Sequence, residues 1–390
     1  MTVCDLFSSH GEAPPRASRA QDVSLTWISK SDDGPGSWSE LANLDWSRFR
    51  LVLGAGGTSG AAFIAGVLLA LATDHDVDLA NASHLVGTSA SSVVATLISM
   101  GLGGDDMAAV VACTPQWLSP IGGSHDLKFG DELPTVPKLR NLMRPMGPRD
   151  IARSARLAAS RRYRALWLHC LRPGTFDLTQ QLPFIPELAW PSQGILSICC
   201  TDAATGQRVV YERESAVGLS DAVSASCAVP GIMRPVRIDD RVLVDGGVVS
   251  PSNADVALGD GESTLTVVVS PMSGTGARSA IGRASSMFAS SRLMSELRRS
   301  DTSGGVLVIE PAASLGALVI DDALDNTTTT RILGSSFLGP ASAKVTARHG
   351  VRTPNCRVVF HPPPTWRSTV PRPSARFWAL CSSQSSTIAC

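Results

Sequence analysis

The sequence predicts an α/β fold with parallel strands, and two observations predict it. A strand, a tight turn rich in small residues and a buried helix occur twice in succession between residues 49 and 100. Strand signals then return from Ile195 onward. Alternation of apolar strands with apolar helices is the pattern of a sheet whose crossovers are helical. No internal repeat is visible.

The elements follow in order. Residues 1–46 are rich in Ser, Pro, Gly and charge without sustained periodicity, and are expected to be a poorly ordered leader. Order is expected to begin with the strand Phe49–Leu53, followed by a helix over Gly60–Ala72, a second strand at His84–Val86 and a second helix over Ser91–Met100. Residues 105–190 are helical in pattern, interrupted by Pro134, Pro137, Pro145 and Pro148, and basic in the middle, as an insertion would be. Ile195–Cys200 and Arg208–Tyr211 are strands joined across the Thr205-Gly206 turn. Arg237-Ile238 and Val242–Val244 form a hairpin about an Asp-Asp-Arg turn, and Thr264–Val269 and Val306–Ile309 are further strands. The main domain is therefore expected over 47–325. Beyond Asp325 there is no Asp or Glu, while Arg, Pro, Ser and Cys recur, so 326–390 is expected to be a flexible basic tail.

Composition narrows the function classes. The 390 residues carry 34 basic and 34 acidic side chains, so no global charge draws the chain to nucleic acid. Hydrophobic residues make up 44%, too many for a largely disordered chain. Nine scattered cysteines with no C-x-x-C pair argue for reduced thiols rather than a zinc or thioredoxin-type site. The first 20 residues lack a signal-peptide pattern, and the uninterrupted apolar run Gly60–Ala72 is shorter than the roughly 20 residues that span a bilayer. A cytoplasmic protein, at most peripheral to a membrane, is expected.

Three motifs carry chemistry. Val86-Gly87-Thr88-Ser89-Ala90-Ser91 lies between a strand and a helix. A serine on such a turn is lifted to the C-terminal edge of a sheet, where the next helix directs its first N–H groups. A Ser/Thr helix cap would look the same. Gly54-Ala55-Gly56-Gly57-Thr58-Ser59-Gly60 again joins strand to helix, and such turns offer backbone N–H groups to a phosphate or an oxyanion. As a dinucleotide fingerprint it places Ser59 where the third glycine belongs. Val244-Asp245-Gly246-Gly247 follows a strand and suits either an aimed carboxylate or an Asp-Gly turn.

In type, order and context the three motifs resemble the patatin-like phospholipase family. That family places a glycine-rich oxyanion loop first, a G-x-S-x-G elbow second and a D-G-[GA] aspartate last. Here these correspond to Gly54–Gly60, Gly87–Ser91 and Asp245–Gly247, and the segments Ala225–Gly231 and Ser250–Asp255 also look like the family. The resemblance covers residues 49 to about 275. It implies a three-layer sandwich with a mostly parallel central sheet flanked by helices. It implies hydrolysis of carboxylic esters of lipids by a dyad: Ser89 as nucleophile and Asp245 as its base. Gly56, Gly57 and Thr58 would form the oxyanion hole, with Gly54, Gly60, Gly87, Gly246 and Gly247 as motif glycines. No cofactor or metal is expected. No late histidine has a matching motif, since His349 and His361 fall in the tail and His75, His84, His125 and His169 precede the aspartate. Two positions depart from the pattern: Ser59 stands where the family carries Arg or Lys, and Ser91 replaces the elbow's second glycine.

Residues 138–172 carry Lys138 and nine arginines against Asp150 alone, with Ile151, Leu157 and Trp167 among them. Such a segment suits contact with an anionic lipid surface as well as an ordinary solvated helix, and nucleic acid is not an expected partner. Two other readings stand beside the hydrolase: a lipid-binding pseudo-enzyme of the same fold, and a Rossmann-like nucleotide-binding protein using the Gly54 loop.

Overall fold

A computed structural model describes residues 23–29, 34–35, 37–103, 143, 145–160, 162–177, 188–258 and 264–321. The tail 326–390 and part of the basic segment, including Lys138, Arg140, Arg144 and Arg161, lie outside the described residues. Among the described residues nine strands form one sheet: β1 Val23–Ile28, β2 Phe49–Leu53, β3 Ala82–Thr88, β4 Ile195–Asp202, β5 Arg208–Tyr211, β6 Val236–Ile238, β7 Arg241–Asp245, β8 Leu265–Val269 and β9 Val306–Pro311. The order is β1-β9-β8-β2-β3-β4-β7-β6, with β5 paired to β4. The run β9-β8-β2-β3-β4 is parallel, and the remaining pairings are antiparallel.

The helices are α1 Gly57–His75, α2 Ala90–Ser99, α3 Pro148–Ala159, α4 Tyr163–Cys170, α5 Leu219–Ser226, α6 Ala280–Arg299 and α7 Ala313–Gly316. Strand side chains alternate between two faces, and the core divides accordingly. Leu51, Leu53, Leu85, Ile198 and Val267 share one cluster with α1, α2 and α5, while Val52, Val86, Cys199 and Val268 share another with Leu293 and Leu297 of α6. Helices thus cover both faces of a mostly parallel sheet, which explains why β2 is buried throughout instead of alternating with water. α1 is apolar all round because it is covered all round. It is long and apolar enough to cross a membrane, yet every residue from Ala62 to Leu71 is buried in this core.

The expected leader needs correction. Within 1–46, Val23–Ile28 is a strand paired antiparallel with β9, and Trp38–Asn43 is a short helix that buries Trp38 and Leu41. The Trp38 indole donates to Asp74 Oδ2 at 3.2 Å, tying this helix to the end of α1. The alternation Val23-Ser24-Leu25-Thr26-Trp27-Ile28 is the signal that marks the strand, and its polar surroundings hide it. The other strands fall where the sequence places them: Phe49–Leu53 and Arg208–Tyr211 keep their bounds, β8 begins one residue later at Leu265, the rest extend by one or two residues at one or both ends, and α1 begins at Gly57 rather than Gly60.

Leu41 is fully buried in the main core. Leu41→Ala is therefore expected to destabilise the protein by about 2–4 kcal/mol, read as a lower melting temperature; an unchanged melt would return this segment to a leader.

Candidate active site

Strand β4 provides one edge to two strands arriving from opposite directions. β3 runs parallel to it and ends with Thr88 opposite Cys199, while β7 runs antiparallel and ends with Asp245 opposite Cys200. β5 occupies the other edge, over Ile198–Thr201. The ends of β3 and β7 therefore meet, which places side by side two residues 156 positions apart in the chain. Ser89 Oγ donates a hydrogen bond of 2.6 Å to Asp245 Oδ2.

Ser89 sits at φ 60°, ψ −138°, between β3 and the first residue of α2. This is a conformation that non-glycine residues adopt only when their surroundings hold them in it. Two contacts hold it. The Ser89 N–H donates to Ser226 Oγ at 2.9 Å, and that hydroxyl donates in turn to the Cys199 carbonyl at 2.8 Å. Gly87 lets the strand turn directly under the helix: a Cβ there would lie 2.6 Å from Ser92 Cα.

Asp245 is held at both ends. Its backbone N–H donates to Ala228 O at 2.9 Å, and its carbonyl accepts from Thr201 Oγ1 at 2.9 Å. Oδ1 accepts from the Gly247 N–H at 2.7 Å, leaving Oδ2 for Ser89. Gly246 packs against the Cys199 carbonyl. Burial pushes the Asp245 carboxyl up to about 6, and the hydrogen bonds from Ser89 and Gly247 offset part of that rise.

The glycine loop completes the arrangement. Gly54 N–H donates to Val269 O, Ala55 N–H to Pro251 O at 2.7 Å, and Gly60 N–H to Gly56 O. Gly56 packs on Pro271, and Gly57 opens α1 at φ 59°, a conformation that favours glycine. Gly57 and Thr58 lie in the first helical turn, where backbone N–H groups find no carbonyl within the helix. The Thr58 hydroxyl is buried and without a hydrogen-bond partner. Ser91, a departure in sequence, has a structural use: its hydroxyl donates to Gly54 O at 2.6 Å and ties the serine turn to the glycine loop. Ser59, the other departure, is fully buried.

Sequence reasoning marked the segment Ser250–Asp255 but gave no role to the residues that brace these parts. Asn253, at φ 52°, donates to Thr88 Oγ1 at 3.0 Å, next to Ser89. Glu296, buried on α6, accepts from Ser252 Oγ at 2.9 Å and from Ala254 N–H at 3.0 Å, fixing the loop that carries Pro251 and Asn253. Burial raises the Glu296 pKa. Glu296 is the only acid in α6, and that isolation was the available signal. The histidines among the described residues are engaged elsewhere. His84 pairs with Ser197 at 2.8 Å, His75 lies against Trp38, and His169 faces Asp150 at 3.7 Å. A cavity of about 330 Å³ lined by Trp27, Asp45, Arg48 and Leu265 lies at the opposite edge of the sheet, with no nucleophile and buried base among its lining residues.

The profile described as patatin-like phospholipase matches residues 51–258, which span the glycine loop, Ser89 and Asp245. Among solved structures, the chain is similar to VipD from Legionella pneumophila, with 15% identity and a TM-score of 0.36 over 74% of this chain and 67% of that one. It is also similar to the type III effector ExoU, with 16% identity and a TM-score of 0.26 over 85% of this chain and 65% of that one. A further match is to the heterodimeric ExoU–SpcU complex from the type III secretion system of Pseudomonas aeruginosa, with 16% identity, a TM-score of 0.26, and coverage of 84% of this chain and 62% of that one. The chain spans just under two thirds of the ExoU chains it matches.

The Asp245 environment predicts a pH-dependent stability. Its folded pKa of about 6 lies above the 3.8 of an ordinary aspartate, so the folded state holds this proton more tightly. Stability falls as pH rises through that window, and the full cost of the buried carboxylate, roughly 1–3 kcal/mol, is present above it. Asp245→Asn removes the charge and is expected to raise the melting temperature by a few degrees at neutral pH. The gain should vanish below about pH 4, where aspartates in both states are protonated.

Proposed function

The chain belongs to the patatin-like phospholipase family, whose members are lipid hydrolases, and on that premise we propose that it cleaves carboxylic ester bonds of lipids through a Ser89–Asp245 dyad. The observation that carries this reading is the 2.6 Å hydrogen bond from a serine at positive φ to a buried carboxylate. An unactivated serine is a poor nucleophile at neutral pH and needs an adjacent base. A carboxylate whose pKa is raised to about 6 is a stronger base than an ordinary aspartate, yet still mostly ionised at neutral pH.

In the proposed cycle Ser89 Oγ attacks the acyl carbonyl carbon and its proton passes to Asp245. The carbonyl oxygen becomes an oxyanion, held by the N–H groups of Gly56, Gly57 and Thr58. The partnerless Thr58 hydroxyl is a further donor at that loop. Collapse breaks the ester C–O bond, and the departing alkoxide takes the proton from Asp245. Water then gives a proton to Asp245 and attacks the acyl-serine, and the proton returns to Ser89 as the fatty acid leaves. The motif glycines Gly54, Gly60, Gly87, Gly246 and Gly247 shape the turns that bring these groups together. A nucleotide-binding role for the Gly54 loop leaves the Ser89–Asp245 bond without a purpose.

Labelling with a fluorophosphonate probe and hydrolysis of short-chain soluble esters test the proposal. Wild type is expected to label and turn over, with kcat/KM rising with pH through about 6 as Asp245 loses its proton. Ser89→Ala should abolish labelling, and Asp245→Asn should lower turnover by at least about a hundredfold. A folded wild type that never labels would instead be a lipid-binding pseudo-enzyme.

A further inference from the structure

The exposed large apolar side chains among the described residues are not scattered. All but Ile195 lie on two segments. Met143, Met146, Ile151, Tyr163 and Trp167 surround α3 and α4, with Tyr163 63% and Trp167 49% exposed one helical turn apart. Ile281, Met287, Phe288 and Met294 lie along α6, with Ile281 81% and Met287 73% exposed. Exposed apolar surface of this extent marks a contact face rather than ordinary surface variation.

The charges carried by these helices are predominantly positive. α3 and α4 carry Arg149, Arg153, Arg156 and Arg164, and their sole acid, Asp150, accepts from the Gly147 N–H at 3.1 Å. α6 carries Arg283, Arg292, Arg298 and Arg299; its sole acid, Glu296, is 4% exposed, holds the 250–254 loop with one oxygen and faces Arg292 with the other at 3.6 Å. The two segments are linked through one stretch of β5. The first turn of α4 packs on Gly206, between β4 and β5; two residues on, Arg208 pairs with Asp255 at 2.6 Å, and the neighbouring Ala254 N–H donates to Glu296 of α6 at 3.0 Å.

Both segments stand at the edge of the sheet that carries Ser89. Gly206 follows the C-terminal end of β4, and just beyond α4 the Thr175 and Phe176 N–H groups donate to Ile232 O, in the loop that joins α5 to β6. On the other side, Ser286 and Ser290 of α6 donate to Gly274 O and Ser273 O. That loop begins with Pro271, against which Gly56 packs.

We propose that α3, α4 and the outer face of α6 form one docking surface for an anionic phospholipid bilayer, which seats the Ser89 edge of the sheet against the lipid. Arginines around exposed Trp, Tyr, Phe, Ile and Met side chains match what an anionic interface offers: negative headgroups above an apolar boundary. A second copy of the chain fits poorly, because a symmetric contact would set arginines against arginines. The purpose of the surface rests on the hydrolase reading, but binding itself requires no turnover.

The test uses the full chain carrying Ser89→Ala, sedimented with vesicles of equimolar phosphatidylcholine and phosphatidylglycerol or of phosphatidylcholine alone. Binding is expected to be at least roughly tenfold tighter to the anionic vesicles and to weaken with added salt. Combined Arg149→Glu, Arg153→Glu and Arg156→Glu should weaken it roughly a hundredfold, and Met287→Ser with Phe288→Ser roughly tenfold. Thermal melts establish that each variant is folded, and either set alone carries the test if the other does not fold. Equal binding to the two vesicles, or folded variants that bind as the parent does, would overturn the proposal. So would a dimer that the apolar substitutions dissolve, with no vesicle binding. Because Ser89→Ala has no nucleophile, failure here leaves the soluble-ester result untouched, and failure of that result leaves this one to be judged separately.

Discussion

The site depends on the sharing of one edge of β4 by two strands. β3 pairs along that edge until Thr88 faces Cys199, and the next position is taken by Asp245 of β7 facing Cys200. Backbone pairing sets the spacing between neighbouring strands at about 4.8 Å. The meeting of Ser89 and Asp245 is therefore fixed by main-chain hydrogen bonds rather than by flexible side chains. A one-residue slip of either strand would turn its side chains to the other face, and both faces here are packed against helices, which forbids the slip.

Around that junction, costs are met by local braces. Ser89 keeps an unfavourable backbone conformation because Ser226 joins its N–H to the Cys199 carbonyl, on the template strand itself. Asp245 carries a charge in a buried place because Gly247 and Ser89 donate to its two oxygens. Ser91 joins the serine turn to the glycine loop, and the Glu296 carboxylate reaches from the opposite layer to hold the loop that touches both Ala55 and Thr88. The proposed contact surface on α3, α4 and α6 would seat this edge at a lipid interface without asking the buried Ser89–Asp245 pair to move.

Local chemistry was legible in the sequence wherever it depends on neighbours along the chain. The strand–turn–helix sequence around Gly54 and Ser89 states its own geometry, because small residues are the ones that tolerate such turns. Ile195–Cys200 declares itself a buried strand by being apolar at every position but Ser197. β1 was obscured because its alternation sits among polar residues and its partner, β9, lies far along the chain, Val23 pairing with Pro311. Ser91 looked like a defect because sequence shows only a missing glycine, whereas the acceptor that justifies the hydroxyl, Gly54 O, belongs to another element.

The sequence by itself determined the fold class, the order of the three motifs and the residue types able to act. Apolar periodicity and turn chemistry are short-range properties. The tertiary structure alone decided which of those residues meet, how deeply Asp245 is buried and so how basic its carboxylate becomes, and that Asn253 and Glu296 belong to the same arrangement. Those outcomes come from strand register and from the loss of water around a charge, and both exist only once distant parts of the chain have packed together.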